Sequence, residues 1–588
     1  MYRVGSTGRK CNLHYQKKCQ IVSILLTFGL LFFTGIFFLH TRVSKDKKYY
    51  FLDDRQKLND KTDKELDIVP DRRQTETQLK SVYTGDSQID ESSYQEDDIP
   101  MGNVNVKLPL GGHADNDASA EEKRVNIKEM MKHAWQNYKI YAWGENELRP
   151  LTQKGYEGNI FVGDLGVTII DGLDTLYIMG LKAEYTEGRD WIQQNFLYDK
   201  VSAEISLYET NIRLVGGFLT MYAFTGDSMF KEKAQSVVDK LLPAFNTSTG
   251  IPRSLVNPKT GESSSYDWAS GSILAEFGSL HLEFSYLSDI TGNPLYREKV
   301  QTIRQILKKI KKPNGLYPNY LNSSSGEWGE NHVSLGALGD SFYEYLLKAW
   351  LQSGQTDEEA RQMFDDAMLA IIKHMVRTSH NGLTYVSNLL YERLDNKMDH
   401  FACFAGGILA LAANTSQNEN SAKFMEIGES ITNTCHESYI RSFTGLGPRV
   451  FLFEQGAEAH ALDSKDKKYK LRPETVESYF VLWRLTHNQK YRDWGWDVVL
   501  ALEKYCRTAH GYTGIRNVYR KMPRKDDIQQ SFFLAETLKY LYLLFSNDTL
   551  LPLNEWVFNT EAHPLPIKGA NVYYRQAVSI SGDAKNDC

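Results

Sequence analysis

Three stretches share one pattern: Phe224-Thr225-Gly226-Asp227-Ser228-Met229-Phe230, Ile290-Thr291-Gly292-Asn293-Pro294-Leu295-Tyr296 and Leu485-Thr486-His487-Asn488-Gln489-Lys490-Tyr491. Each reads as the end of one helix, a tight turn and the start of the next. Thr225 and Thr291 are 66 residues apart, and Thr291 and Thr486 are 195 apart, three steps of 65. Gly354 falls near the missing step. A unit of about 65 residues holds two helices and their loops, and residues 123–575 accommodate about seven such units. Repeated helical hairpins either stack as an open solenoid or close into a ring. A solenoid needs polar-faced caps, whereas the segment 531–545 near the C-terminus is strongly apolar. The expectation is therefore an all-α fold whose hairpins close on themselves.

Working outward, amphipathic segments with helical spacing begin at about Lys123: Val125 to Trp143, Gly163 to Met179, Ile273 to Leu287, Ser341 to Trp350 and Ser531 to Phe545. Alternating strand patterns are scarce, with short strands expected within 312–337 and 440–454. Residues 40–122 are polar and charged and read as a flexible stem. Ile21 to Leu39 is uncharged and just long enough to span a bilayer. It lacks a small-x-small cleavage pattern before His40, so a type II signal anchor is expected rather than a cleaved leader. Basic residues flank it on both sides, and the charge rule does not orient it cleanly. The expected divisions are a cytosolic tail 1–20, an anchor 21–39, the stem 40–122, a catalytic body 123–575 and a tail 576–588. Sequons at Asn246, Asn322, Asn414 and Asn547 all lie beyond the span, favouring a lumenal body.

The 588-residue chain is 41% hydrophobic, enough for a large core, and its net charge of -6 argues against a nucleic-acid partner. Its 12% aromatic content suits sugar stacking as well as core packing. Six cysteines without a C-x-x-C make a zinc ribbon or a thioredoxin-like site unlooked for. Cys403 and Cys435 are able to pair in an oxidising compartment, but the sequence does not choose the pairing.

Acids recur where the pattern calls for apolar side chains. In Leu471-Arg472-Pro473-Glu474-Thr475-Val476-Glu477-Ser478, Pro suits a helix's first turn, and Glu474 and Glu477 then share one face beside the positive end of the dipole. A well-made helix start explains this stretch equally well. Glu209 and Arg213 in 207–214 form either an ordinary ion pair four apart or a buried one with a purpose. Asp340 and Glu344 are like charges four apart among aromatics, so a site is favoured over a solvated edge. Glu536 interrupts a run that otherwise looks buried, and Phe558-Asn559-Thr560-Glu561-Ala562-His563-Pro564 adds hydroxyl and carboxylate oxygens. Acids converging on one interior need cations: Arg213, Arg472 and a hard metal ion. Paired carboxylates on an aromatic-rich scaffold suit glycoside hydrolysis, one protonating the leaving oxygen and the other activating water. No G-x-x-x-x-G-K-[ST], H-E-x-x-H, G-x-S-x-G or EF-hand loop supports another chemistry.

At these residues the chain resembles the class I α-mannosidases, glycoside hydrolase family 47. Matching stretches run in order from about 125 to 570: Ala142-Trp143-Gly144, Ile170 to Leu176, Glu209 to Arg213, Asp340 to Tyr345, Lys397-Met398-Asp399-His400, Leu471 to Ser478, Ser531 to Glu536 and Phe558 to Pro564. The resemblance implies an (α/α)7 barrel and an inverting exo-α-1,2-mannosidase that trims high-mannose N-glycans with Ca2+. By position it implies Glu209 as general acid through a water, Glu474 as general base and Asp340 as a third essential carboxylate, the acid role lying between Glu209 and Asp340. Thr560 would bind calcium through its hydroxyl and carbonyl. Glu477, Glu536 and Glu561 would hold calcium-bound waters or sugar hydroxyls. Arg213, Glu276, Glu344, Asp399, His400, Arg472 and Phe532 would line the sugar subsite, and Cys403 and Cys435 would form the family's disulfide. Relatives of the endoplasmic reticulum carry Arg where this chain has Leu338, which points to the Golgi branch and looser branch selectivity. Many relatives have Gly-Leu-Gly-Pro-Glu where this chain has Gly445-Leu446-Gly447-Pro448-Arg449, a departure expected to be peripheral. A glycan-binding homologue with little turnover, or a helical scaffold without activity, are the alternative readings.

Overall fold

The computed structural model describes residues 118–577 apart from 159, 160, 417 and 455. The expected anchor at 21–39, and nearly all of the stem and tail, lie outside the described residues. Among the described residues no helix is long and apolar enough to cross a membrane.

Among the described residues, fourteen helices of seven residues or more build the body: α1 (Ala118–Ala142), α2 (Val167–Ile178), α3 (Lys182–Asn195), α4 (Gly216–Thr225), α5 (Ser228–Leu241), α6 (His281–Thr291), α7 (Leu295–Lys309), α8 (Asp340–Gln352), α9 (Glu358–His374), α10 (Ala405–Thr415), α11 (Ser421–Ile440), α12 (Glu474–Thr486), α13 (Lys490–Ala501) and α14 (Leu538–Leu544). From α2 to α13 each even-numbered helix packs against the next in sequence as a hairpin, and α14 takes α1 as its mate. The even-numbered helices also touch one another in order, α2 to α14. The π-turn Phe533–Thr537 that leads into α14 packs on α2, so the circle closes into an α/α barrel.

Sequence separates inner from outer helices. Helix α2 buries every residue but Tyr177. Helix α7 buries Tyr296, Val300, Ile303, Arg304 and Leu307, one stripe at helical spacing. The repeated turn has a physical basis. Thr225, Thr291 and Thr486 each donate a hydroxyl hydrogen bond to the carbonyl four residues back, at 2.6, 2.6 and 2.7 Å. The next residue is left-handed: Gly226 at φ 72°, Gly292 at 73° and His487 at 50°. Then Asp227, Asn293 or Asn488 accepts a hydrogen bond from the backbone two residues on, starting the next helix. Gly354, at φ 71°, occupies the missing step.

The connections from outer helices to the next inner helix are long and hold short antiparallel pairings. Ile205–Ser206 pairs with Leu255–Val256, Ser272–Ile273 with Tyr320–Leu321, and Lys397–Asp399 with Val450–Glu454. Strands at 320–321, 332–333 and 450–454 fall in both stretches expected to hold them. A final hairpin pairs Trp556–Phe558 with Pro564–Pro566, and both strands are buried. It packs on α4 and α8, and Phe558 meets Phe480 of α12 and Tyr540 of α14. Touched from around the ring, it fills the barrel's interior.

Three boundaries differ from expectation: helix α1 begins at Ala118, inside the stretch 40–122 read as flexible stem, because Ala120 is already packed into the core. The segment read as one helix from Ile273 to Leu287 is two, Leu274–Gly278 and α6, separated at Ser279 (φ -116°, ψ 50°). The backbone at Gly278 lies so near Phe342 that an added Cβ would sit 2.6 Å from its ring, a constraint that periodicity does not register. The segment read as starting at Gly163 becomes helical only at Val167, because Gly166 is left-handed and abuts Trp191. Cys403 and Cys435 form a disulfide that ties the turn before α10 to α11, with Cα atoms 6.0 Å apart. Cys506 is a buried free thiol.

Candidate active site

The expected site residues enter from several separate connections at the N-terminal ends of inner helices. Glu209 closes the short helix Leu207–Glu209 and is followed by a π-turn, Thr210–Val215. Such turns are rare and cluster at functional sites. Arg213, within it, donates its Nε to Glu209 Oε2 at 2.8 Å. Its Nη1 donates to Asp171 Oδ2 at 3.3 Å, Ser531 Oγ at 3.1 Å and Glu561 Oε1. Phe532 presents its ring 5.8 Å from the same guanidinium. One arginine thus joins the segment leading into α4, helix α2, the run that enters the C-terminal π-turn and the tip of the internal hairpin.

Asp340 and Glu474 open α8 and α12. Glu474 Oε2 meets His400 Nδ1 at 2.5 Å, and His400 Nε2 meets the Tyr439 hydroxyl at 2.7 Å. Burial alone would raise the Glu474 pKa, but His400 and Arg472 outweigh it and hold the carboxyl below its usual range. Arg472 stacks over Phe401 at 4.2 Å, and its buried Nε has no hydrogen-bond partner among the described residues. Asp340 is pushed well above the usual range by burial and by the charges of Asp399, Glu344 and Glu474. Asp399, also raised by burial, accepts from the backbone of Ala402 at 3.2 Å and Ala337 at 3.3 Å.

The backbone beside these acids is strained. Leu338, Leu471 and Ala562 are left-handed at φ 79°, 60° and 59°, conformations costly for residues with a side chain. They precede Asp340 and Glu474 and follow Glu561. Strain concentrated there is what a site held in one geometry by its surroundings exhibits.

Deeper in the barrel, Glu344 pairs with Lys348, which lies 3.9 Å from Glu477. Burial, with Glu344 and Glu474 nearby, pushes Glu477 up to about 8 despite Lys348. Glu536 is raised well above its usual range by burial and by Glu561, Glu474 and Glu477, and Glu561 is raised by burial against the pull of Arg213. Glu276, from the short helix before α6, is pushed to about 8 by burial, and its Oε2 has no partner among the described residues. It feels the charge of Glu209. The acids expected to converge therefore do.

Thr560 sits at the tip of the internal hairpin beside Glu561. Its hydroxyl and carbonyl accept no hydrogen bond from the described residues. Asn559 shapes the tip: its Oδ1 accepts from the backbone of Glu561 and His563 at 2.9 and 2.8 Å, and its Nδ2 donates to Glu283 at 2.8 Å. Among the described residues no group of three or more His, Cys, Asp or Glu side chains is arranged to hold a metal by itself. The donor set instead offers hard oxygens on Thr560 within a surplus of carboxylates, which fits a calcium ion better than a softer metal.

Several residues not singled out above complete the site. Asp171 and Asp174 lie on one face of α2. His563 bridges them at 3.2 and 2.9 Å, and Lys539 binds Asp174 Oδ2 at 2.7 Å and the Ala562 carbonyl at 2.7 Å. Glu147, raised to about 7 by burial, accepts from the Ser531 backbone at 3.3 Å. Two acids three apart in an otherwise apolar helix were the available signal for the α2 pair. Glu147 follows no helical pattern and gave none. Arg449 turns its guanidinium to Asp466, while its carbonyl accepts from the His400 backbone at 2.8 Å. Of the four sequons, Asn246, Asn322 and Asn414 are exposed and Asn547 is half-buried.

An α/α barrel whose axis gathers carboxylates at the starts of its inner helices defines a glycoside-hydrolase class of site. Residues 130–567 match the profile of glycosyl hydrolase family 47, and the chain belongs to that family. The mannosyl-oligosaccharide alpha-1,2-mannosidase IA of Drosophila melanogaster is 57% identical, with 98% of each chain covered. The mannosyl-oligosaccharide 1,2-alpha-mannosidase IB of Homo sapiens is 54% identical over 80% of this chain and 73% of its own. Among solved structures, the alpha-1,2-mannosidase from Trichoderma reesei superposes with a TM-score of 0.70 at 28% identity, covering 76% of this chain and 99% of that one.

Proposed function

We propose that the protein is a mannosyl-oligosaccharide 1,2-α-mannosidase, hydrolysing terminal α-1,2-linked mannose from high-mannose N-glycans with inversion. The observation that carries this reading is the contrast between Glu474, held ionised by His400 and Arg472, and Asp340, buried among acids that keep its proton on. Hydrolysis needs both a base for water and a proton donor for the departing oxygen, and environments that push two carboxyls apart supply them. Glu474 takes the proton of the attacking water. The proton for the leaving oxygen comes from Asp340, which this contrast favours, or from Glu209 acting through a water. Arg213 keeps Glu209 and Glu561 in place. Glu276, Glu344, Asp399, His400, Arg472, Glu477, Phe532 and Glu536 line the sugar pocket.

Thr560 would hold Ca2+ through its hydroxyl and carbonyl, with Glu477, Glu536 and Glu561 accepting from the ion's waters. When bound, the ion binds sugar hydroxyls and so orients the ring. The surplus of buried acid around the tip supports this assignment, since a dication relieves it. For location, the reading is a single-pass type II protein of the Golgi membrane with a lumenal barrel. It rests on the apolar run at 21–39, on three exposed sequons and on a disulfide within the body. The decisive assay incubates the protein with a defined high-mannose glycan. Free mannose should appear, as the α-1,2-linked termini disappear, and the release should stop on chelation and return with calcium. A protein that binds the glycan and releases nothing would be the lectin-like homologue instead.

A further inference from the structure

One fully buried acid has no part in the chemistry proposed above. Glu283 stands in the first turn of α6, 0% exposed, between the buried Leu282 and Phe284. Its side-chain hydrogen bonds come from neutral donors. Oε1 accepts from the Tyr345 hydroxyl at 2.7 Å and from Asn559 Nδ2 at 2.8 Å, and Oε2 accepts from Asn211 Nδ2 at 2.9 Å. Burial raises its pKa despite these bonds, and among the described residues it makes no ion pair. A carboxyl taken out of water with no cation beside it is costly, and an apolar side chain would fill the space without that cost.

The three donors share one property: each sits on a segment that carries the site. Asn211 lies in the π-turn between Glu209 and Arg213, Tyr345 lies on α8, which Asp340 opens, and Asn559 immediately precedes Thr560. Asn559 does the most with its bonds. Its Nδ2 also donates to the Ile212 carbonyl at 2.9 Å, while its Oδ1 accepts from the backbone of Glu561 at 2.9 Å and of His563 at 2.8 Å. Two acceptors thus face one end of the amide and two N–H groups face the other, so a single orientation satisfies all four. The amide has room because α4 begins at Gly216, where an added Cβ would sit 2.5 Å from Asn559 Nδ2. The Ala562 N–H donates to the Asn559 carbonyl at 3.0 Å, which closes a turn holding Ala562 at φ 59°. Within this turn the Thr560 hydroxyl and carbonyl receive no hydrogen bond from the described residues.

We infer that Glu283 and Asn559 are positioning residues for the metal. Glu283 locks the Asn559 amide, and the amide holds the turn 559–563 in the shape that leaves both Thr560 oxygens available before an ion arrives. The inference rests on the reading of Thr560 as a calcium ligand. It assigns neither residue a contact with the ion or the sugar.

The test is calcium binding by the full-length chain, freed of metal by chelation and titrated by calorimetry well below each variant's Tm. Asn559→Ser keeps a short acceptor for the turn but loses the amide N–H, and Glu283→Ala removes the lock. Each should weaken calcium binding by about 10–100-fold, the usual cost of losing a group that orients a metal ligand. Asn559→Ser carries the test alone if Glu283→Ala does not fold. Glu283→Gln keeps an acceptor for Asn559 and should bind nearly as the wild type does. Because Glu283 acts through Asn559, the double variant Glu283→Ala/Asn559→Ser should bind no more weakly than the weaker single variant. Leu565→Ala, in the same hairpin but outside the turn, should lower Tm and leave the affinity unchanged. Wild-type affinity in Asn559→Ser, additive losses in the double variant, a loss in Glu283→Gln as large as in Glu283→Ala, or an equal loss in Leu565→Ala would each overturn the inference. A wild-type chain that binds no calcium, or binding that Thr560→Val leaves unchanged, would instead overturn the metal assignment beneath it.

Discussion

At the residue scale, Glu474 and His400 form the pair on which the chemistry turns. Glu474→Gln keeps the shape of the pocket and removes the base. Turnover should fall by about 10²–10⁴-fold while glycan binding persists, measured as kcat beside a binding isotherm. His400→Gln makes a subtler prediction. His400 helps hold Glu474 below the usual carboxylate range, so losing it should move the acidic limb of the kcat/KM profile to higher pH. An acidic limb that stays where it was would detach His400 from the base. Much of this site was legible in sequence, because an acid inside an apolar helical run is costly and therefore conspicuous. Glu209, Asp340, Glu474 and Glu536 were found that way. The partners were harder. His563 lies 389 residues from Asp174, and no local pattern ties a histidine after a hairpin turn to an aspartate in the first inner helix.

At the element scale, the internal hairpin depends on groups that are not catalytic. Lys539 is fully buried, and it ties Asp174 of α2 to the Ala562 carbonyl at the hairpin tip. Lys539→Met removes the cation and leaves a buried carboxylate short of a partner. Breaking such a pair costs about 3–5 kcal/mol, to be read from the denaturant midpoint. Little loss of stability would mean that His563 alone suffices for Asp174. The helices themselves were read well from spacing, since T-G-D and T-G-N turns stop and restart helices by local hydrogen bonds. Helix breaks imposed from outside, as at Ser279, and the π-turns at 210–215 and 533–537 were not legible. They arise from what the chain packs against rather than from its own pattern.

At the scale of the whole molecule, buried acids set how stability responds to pH. Glu477 and Glu276 are held near 8, above the value of about 4.5 expected unfolded. The folded chain therefore keeps protons that the unfolded chain gives up, and stability should fall as pH rises from about 4.5 toward 8. Glu474 acts in the opposite sense, its contribution being present above the ordinary value and lost as pH drops through its depressed one. With calcium chelated, Tm should decline between pH 5 and pH 8, and added calcium should restore most at the higher pH. A Tm that is flat with pH, and indifferent to calcium, would contradict both the burial of these acids and the metal assignment. The ring itself was legible from the repeat interval and the apolar final segment.

Helix α1 is the outer mate of α14, and Gln529 reaches back across 395 residues to donate to the Ala134 carbonyl at 3.3 Å. A nascent chain leaving the ribosome in order presents its first helix long before the partner exists. The successive hairpins can form as they emerge, because their contacts are local. The wall stays breached, however, and the apolar lining is wet until the last helix and the plug behind it have been synthesised. Completion is thus a late, long-range event of the kind that is slow and prone to self-association. Polypeptides halted before about residue 540 should be held by chaperones rather than accumulate as smaller working enzymes.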